Sequence, residues 1–135
     1  MKLIFIELNE INFDVVNFYI QKGAVLPGFK NLIDEGIVGT SSESEYKYLE
    51  PWVQWPSIHT GKTYKEHKIF RLGDFVNSSE EQFFEQVEKA GFSVGAVCPM
   101  NASNKLKNPA YFIPDPWTKT PSDSSFFSKS ITDSL

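Results

Sequence analysis

Cysteine occurs once in this chain, histidine twice, and long runs of a single charge not at all. One cysteine, Cys98, excludes an internal disulfide framework and a cysteine-rich zinc site. It lies in an apolar run and is expected to be a small buried hydrophobe rather than a nucleophile. The net charge is −4, without a basic cluster. Neutralising a phosphate backbone needs clustered Lys and Arg, so nucleic acid is not the expected partner. No stretch is apolar for long enough to cross a bilayer. The run after Met1-Lys2 is short and broken at Glu7, unlike a secretory leader, so the expected location is the cytoplasm. No Gly-rich loop follows that run, which argues against an unrelated nucleotide-binding α/β module. What is present in excess is aromatic: twelve Phe and three Trp in 135 residues. That length suits one domain with one core.

The apolar pattern alternates between strand-like and helix-like segments. Residues 2–8 form a short apolar run of the kind found in strands buried on both faces of a parallel sheet. Phe13, Val16, Tyr19 and Ile20 recur at helical spacing, with Asn12 or Asp14 at the amino end and Gly23 as the stop. Pro27 opens a second short helix to Glu35, closed by Gly36. Residues 37–41 and 46–49 read as short strands. A helix starting near Ser78, with Ser78 as its cap, runs to about Ala90. Residues 92–98 follow as a second buried strand, and 111–113 as a brief third. Alternating strands and helices imply an α/β fold, a mostly parallel sheet covered by helices in a three-layer sandwich. Ligands in such sheets bind at the carboxyl ends of strands, which here selects residues 7–10, 49–54 and 99–101.

The chain is organised around residues 50–69. Pro51 suits the first turn of a helix and Gly61 its end, predicting a helix from Trp52 to Thr60 with Glu50 at its amino end. A helix amino end favours anions. Both histidines fall in this stretch. His59, in an aromatic helix, is expected to be a core residue. His67 is expected to shape the loop. Trp52 is a candidate for stacking on a substrate ring, with packing as the alternative. Glu7 and Asn9 would share one face of the first strand, where both oxygens could reach one cation. Glu7 could equally pair with a cation or lie on a solvated edge. Glu50 and Gln54 are the candidate catalytic groups, with Glu50 as a base or ligand that activates water. Asn101, at the end of the second strand, is a candidate substrate contact.

Thr60-Gly61, His67 and Ile69 fit the pattern Thr-Gly-x-x-Pro-x-x-His-Gly-Ile, with Tyr64 at the proline and Lys68 at the second glycine. With the amino-terminal run and the block Gly91 to Met100, they resemble the phosphodiesterase/nucleotide pyrophosphatase and sulfatase branch of the alkaline phosphatase superfamily. The resemblance covers residues 1–118. It implies metal-dependent hydrolysis or transfer of a phosphate or sulfate ester, sugar-linked or not. It places Asn9 on a metal-binding Asp and Glu10 on the glycine after it, so the metal set is Glu7, Asn9 and Glu10, for Zn, Mn or Mg. The nucleophile of the family stands nine residues before the Thr of Thr-Gly, which is Pro51 here. Family members are longer and take further Asp and His ligands from a carboxy-terminal half. The chain is therefore expected to be an amino-terminal portion that binds metal fully only with that missing half, or not at all. Residues 119–135 are expected to be a Ser-rich disordered tail or the start of a missing element. The alternative reading is a catalytically inactive member that binds a phosphorylated or sugar ligand.

Overall fold

The computed structural model describes residues 2–36, 39 and 44–134. The chain divides into two compact units, Met1–Ser44 and Glu45–Leu135.

The first unit holds two helices, α1 (Phe13–Gln21) and α2 (Pro27–Asp34). Asn12 caps α1: its side-chain oxygen accepts from the amides of Asp14 at 2.8 Å and Val15 at 3.1 Å. Those amides have no partner inside the helix, so the cap replaces bonds the first turn cannot make. Pro27 opens α2, where a missing amide hydrogen costs nothing. Phe13 meets Phe29 edge to face at 6.2 Å. No described residue of this unit is fully buried. Residues 2–8 form no strand, and Leu3 and Ile4 are 82% and 83% exposed. This corrects the expected interior strand. A strand is a property of a pair, and among the described residues the one ladder joins the strands at 95–97 and 111–113, not this run. The expected strand over 37–41 lies outside the described residues, apart from Gly39.

The second unit begins with a 3-10 turn, Tyr46–Tyr48, where a short strand was expected. Tyr48 stacks on Tyr64 at 4.1 Å. Helix α3 (Pro51–Thr60) follows, with Glu50 at its cap position. It ends at Gly61, whose φ of +66° only glycine adopts without strain. Helix α4 (Tyr64–His67) is a single turn fixed by a capping box between Thr63 and Glu66. A 3-10 turn, Asp74–Asn77, leads to α5 (Phe83–Lys89). Gln82, not Ser78, caps α5. Its amide donates to Glu85 at 3.1 Å, while its side chain exchanges hydrogen bonds with Ser103. Ser78 instead closes a small turn with the amide of Glu80.

Strands β1 (Gly95–Val97) and β2 (Tyr111–Ile113) pair in parallel, Ala96 opposite Phe112. The expected strand over 92–98 is thus shorter, and Cys98 beyond it is exposed, not buried. The fold is mixed α/β, with six helices and this two-stranded parallel sheet among the described residues. Phe84, Val94, Ala102 and Phe112 form the buried cluster, flanked by Phe83, Val87, Ala96 and Leu106. Residues 119–134 are not structureless. Helix α6 (Phe126–Thr132) docks on β2 through Asp123, which takes the hydroxyl of Ser128 at 2.6 Å and the amide of Phe112. None of the described helices is long and apolar enough to cross a membrane.

Candidate functional site

Helix α3 and the loops packed against it carry most of the predicted site. Pro56 sits inside α3 and has no amide hydrogen, so the carbonyl of Trp52 loses its normal partner one turn on. Asn101 supplies the replacement. Its Nδ2 donates to the Trp52 carbonyl at 2.7 Å and to the Arg71 carbonyl at 3.2 Å. Its Oδ1 accepts from the Gly73 amide at 2.9 Å, and its own amide donates to Asp115 at 3.0 Å. Asn101 is fully buried and takes a φ of +50°, which asparagine tolerates better than most residues. The expected substrate contact is corrected: Asn101 is a clamp joining α3, the 71–73 turn and the 115–118 turn. It shows no face to a ligand. Asp115 completes the clamp by accepting from the amides of Trp117 and Thr118.

Glu50 is exposed, and its side chain makes no cap bond. Gln54, one turn on, donates its side-chain amide to the Leu49 carbonyl. That donor is committed to holding the turn before α3. Trp52 is half-buried and lines an open concavity of about 400 Å³ with Arg71 and Leu72. Glu50, Trp52, Gln54 and Asn101 thus lie in the second unit. Glu7, Asn9 and Glu10 lie in the first, where Asn9 and Glu10 form a turn and Glu10 has a φ of +59°. Without a strand, the alternation that would put positions 7 and 9 on one face is absent. Among the described residues, no group of three or more His, Cys, Asp or Glu side chains is arranged to hold a metal ion. The described donors Glu7, Asn9 and Glu10 do not by themselves form such a group.

Among the described residues, Ser57 with His67 has the outline of a nucleophile and base, Oγ to Nε2 at 2.8 Å. Its proton bookkeeping runs the wrong way. His67 Nδ1 accepts the Ile69 amide at 2.9 Å, so the neutral ring carries its proton on Nε2 and donates to Ser57. The Ser57 hydroxyl turns back to the Val53 carbonyl at 3.3 Å. A base would have to accept from Ser57 at that nitrogen. Burial pushes the His67 pKa down, against the pull of Glu80 and Glu66, which keeps the ring neutral. His67 therefore pins the α4 loop against α3. Lys68 follows it with a φ of +57°, the left-handed geometry that makes a glycine the natural occupant. His59 is fully buried among Trp55, Phe83 and Phe84, at ring distances of 6.1, 6.1 and 5.9 Å. It is a core residue.

Arg71 escaped sequence reasoning. The signal available was its singularity: it is the only arginine of the chain, placed just after the histidine loop.

Comparison with protein-family models, with curated proteins and with solved structures finds no match.

Proposed function

We propose that this chain is the amino-terminal portion of a metal-dependent phosphodiesterase-, phosphatase- or sulfatase-like hydrolase or transferase, and that it contributes the frame of the site rather than a complete catalyst. The observation that supports this reading is the α3–α4 loop. The Thr60-Gly61…His67-Lys68-Ile69 positions build a compact turn in which residues 61 and 68 both take the left-handed conformation. Those are the two positions where the family pattern carries glycine. The finer architecture proposed with it is a three-layer sandwich. The free edge of β1 supports that extension. The outer edge of β2 is closed by Asp123, whereas alternation turns the backbone groups of Gly95 and Val97 outward, without partners among the described residues. Further parallel strands would add there. The proposal includes a cytoplasmic location, which rests on the sequence alone.

The second reading is an inactive member that binds a phosphorylated or sugar ligand. Pro51 at the nucleophile position and the committed amide of Gln54 favour it. A divalent ion would need ligands beyond Glu7, Asn9 and Glu10.

The test is turnover of an aryl phosphate diester and an aryl sulfate by the purified chain with Mn, Mg or Zn. The expected rate is background. Robust turnover lost in both Glu7→Ala and Glu50→Ala would show a complete active site and overturn the frame reading.

A further inference from the structure

Trp52, Arg71 and Leu72 line a shallow, open and mostly apolar concavity, with Arg71 as the one basic residue among them. The guanidinium of Arg71 has no ion pair or hydrogen bond among the described residues. Its backbone is by contrast fully employed. The Arg71 amide donates to Asp74 at 2.9 Å, and its carbonyl accepts from Asn101 and from the Asp74 amide. The same Asn101 amide group holds the Trp52 carbonyl. One buried side chain therefore ties the backbones of two lining residues that are far apart in sequence. Their separation is set before any ligand arrives, which lowers the ordering cost of binding.

We propose that this concavity is a binding site for a small aromatic carboxylate. The planar fork of arginine matches a carboxylate in bidentate fashion. Indole and leucine surface suits a flat ring. Charge selects a monoanion. The site offers a single positive group, with the Asp74 carboxylate bonded to the Arg71 backbone beside it. A dianion would bring an unbalanced charge toward Asp74. The openness of the site sets the affinity at about millimolar, as expected of a few contacts on an exposed arginine.

The experiment is a titration of the ¹⁵N-labelled chain with benzoate in the presence of EDTA, so that its outcome does not depend on metal or turnover. The only arginine gives one Nε–H signal, and the three tryptophans give three indole signals, of which Trp52→Phe removes one. Benzoate is expected to shift the arginine signal and the Trp52 indole together, saturably. Benzyl alcohol, which has the ring without the charge, and acetate, which has the charge without the ring, should each bind at least about tenfold more weakly. Arg71→Ala should weaken benzoate about tenfold or more. The variant is expected to fold, because only the backbone of Arg71 is structural. Shifts that stay linear, that acetate reproduces at equal concentration, or that survive Arg71→Ala would overturn the site. Tighter binding of phenyl phosphate than of benzoate would overturn the monoanion assignment.

Discussion

The two units of this protein have similar raw material and opposite outcomes. Residues 2–36 carry an apolar run and two amphipathic helices, yet bury none of their described residues. Residues 45–134 bury Phe75, Phe84 and Phe112 among others. The difference does not lie in hydrophobicity. The second unit has polar side chains that fasten one segment to a distant one: Asn101 to residues 52, 71 and 73, Gln82 to Ser103, Asp123 to Phe112 and Ser128. Each satisfies backbone or side-chain groups that would otherwise be buried without partners. In the first unit the Asn12 cap and the exposed i,i+4 pair of Lys30 with Asp34 act only within a helix. Apolar residues supply the driving force for a core, and long-range polar clamps fix which segments meet.

The largest test of that contrast is truncation of apolar side chains. Phe112→Ala is expected to cost about 3–5 kcal/mol in urea unfolding, and Ile4→Ala under about 0.5 kcal/mol. Hydrogen exchange should divide the same way, slow near Phe84 and Phe112 and fast over 2–8. Slow exchange over 2–8 would break the comparison and would be the first sign of the wider sheet.

Asn101→Ala should cost about 3 kcal/mol. It strands the carbonyls of Trp52 and Arg71 and the amide of Gly73, and leaves alanine at a positive φ. A loss below about 1 kcal/mol would mean that apolar burial alone holds the unit.

Acid should weaken the second unit selectively. Burial lowers the His67 pKa, so the stability tied to its neutral form is complete above the unfolded value of about 6.5 and is lost as pH falls below it. His67→Gln should flatten the urea midpoint between about pH 7 and 5. A second loss should begin near pH 4. Burial raises the Asp123 pKa, but hydrogen bonds from Ser125, Ser128 and the Phe112 amide outweigh it and hold the carboxyl well below its usual range. Its contribution is therefore present above the unfolded value of about 3.9 and fades below it.

The smallest effect is a gain. Lys68→Gly should stabilise by about 0.5–1 kcal/mol, because it removes left-handed strain at a solvent-exposed position. A loss on thermal melting would mean that the lysine stem packs usefully there.

Features written in short-range chemistry were legible in the sequence. A cap at Asn12 or Asp14, the glycine stops, the bounds of α3 and the brief strand at 111–113 need only neighbours in the chain. The misread features depend on distant partners. The strand expected over 2–8 needs a ladder. The cap of α5 went to Gln82 because Ser103 was there to hold it. Residues 46–49 became a 3-10 turn beside Tyr64. Asn101 read as a ligand contact because nothing local announced the gap that Pro56 leaves one turn back. Ser128 read as part of a loose tail because Asp123 was not recognised as its acceptor. The candidate site followed the same rule. Glu50 and Trp52 stand where the helix pattern puts them, whereas Arg71 became visible only once its guanidinium proved unengaged.

The proline in α3 also imposes an order on folding. The carbonyl it leaves open is closed by a residue 49 positions further along. A ribosome emits the amino end first, so α3 emerges with a gap that nothing yet made can fill. The helix gains that bond only when Asn101 arrives, and a chain stopped before it would leave the Trp52 carbonyl to water.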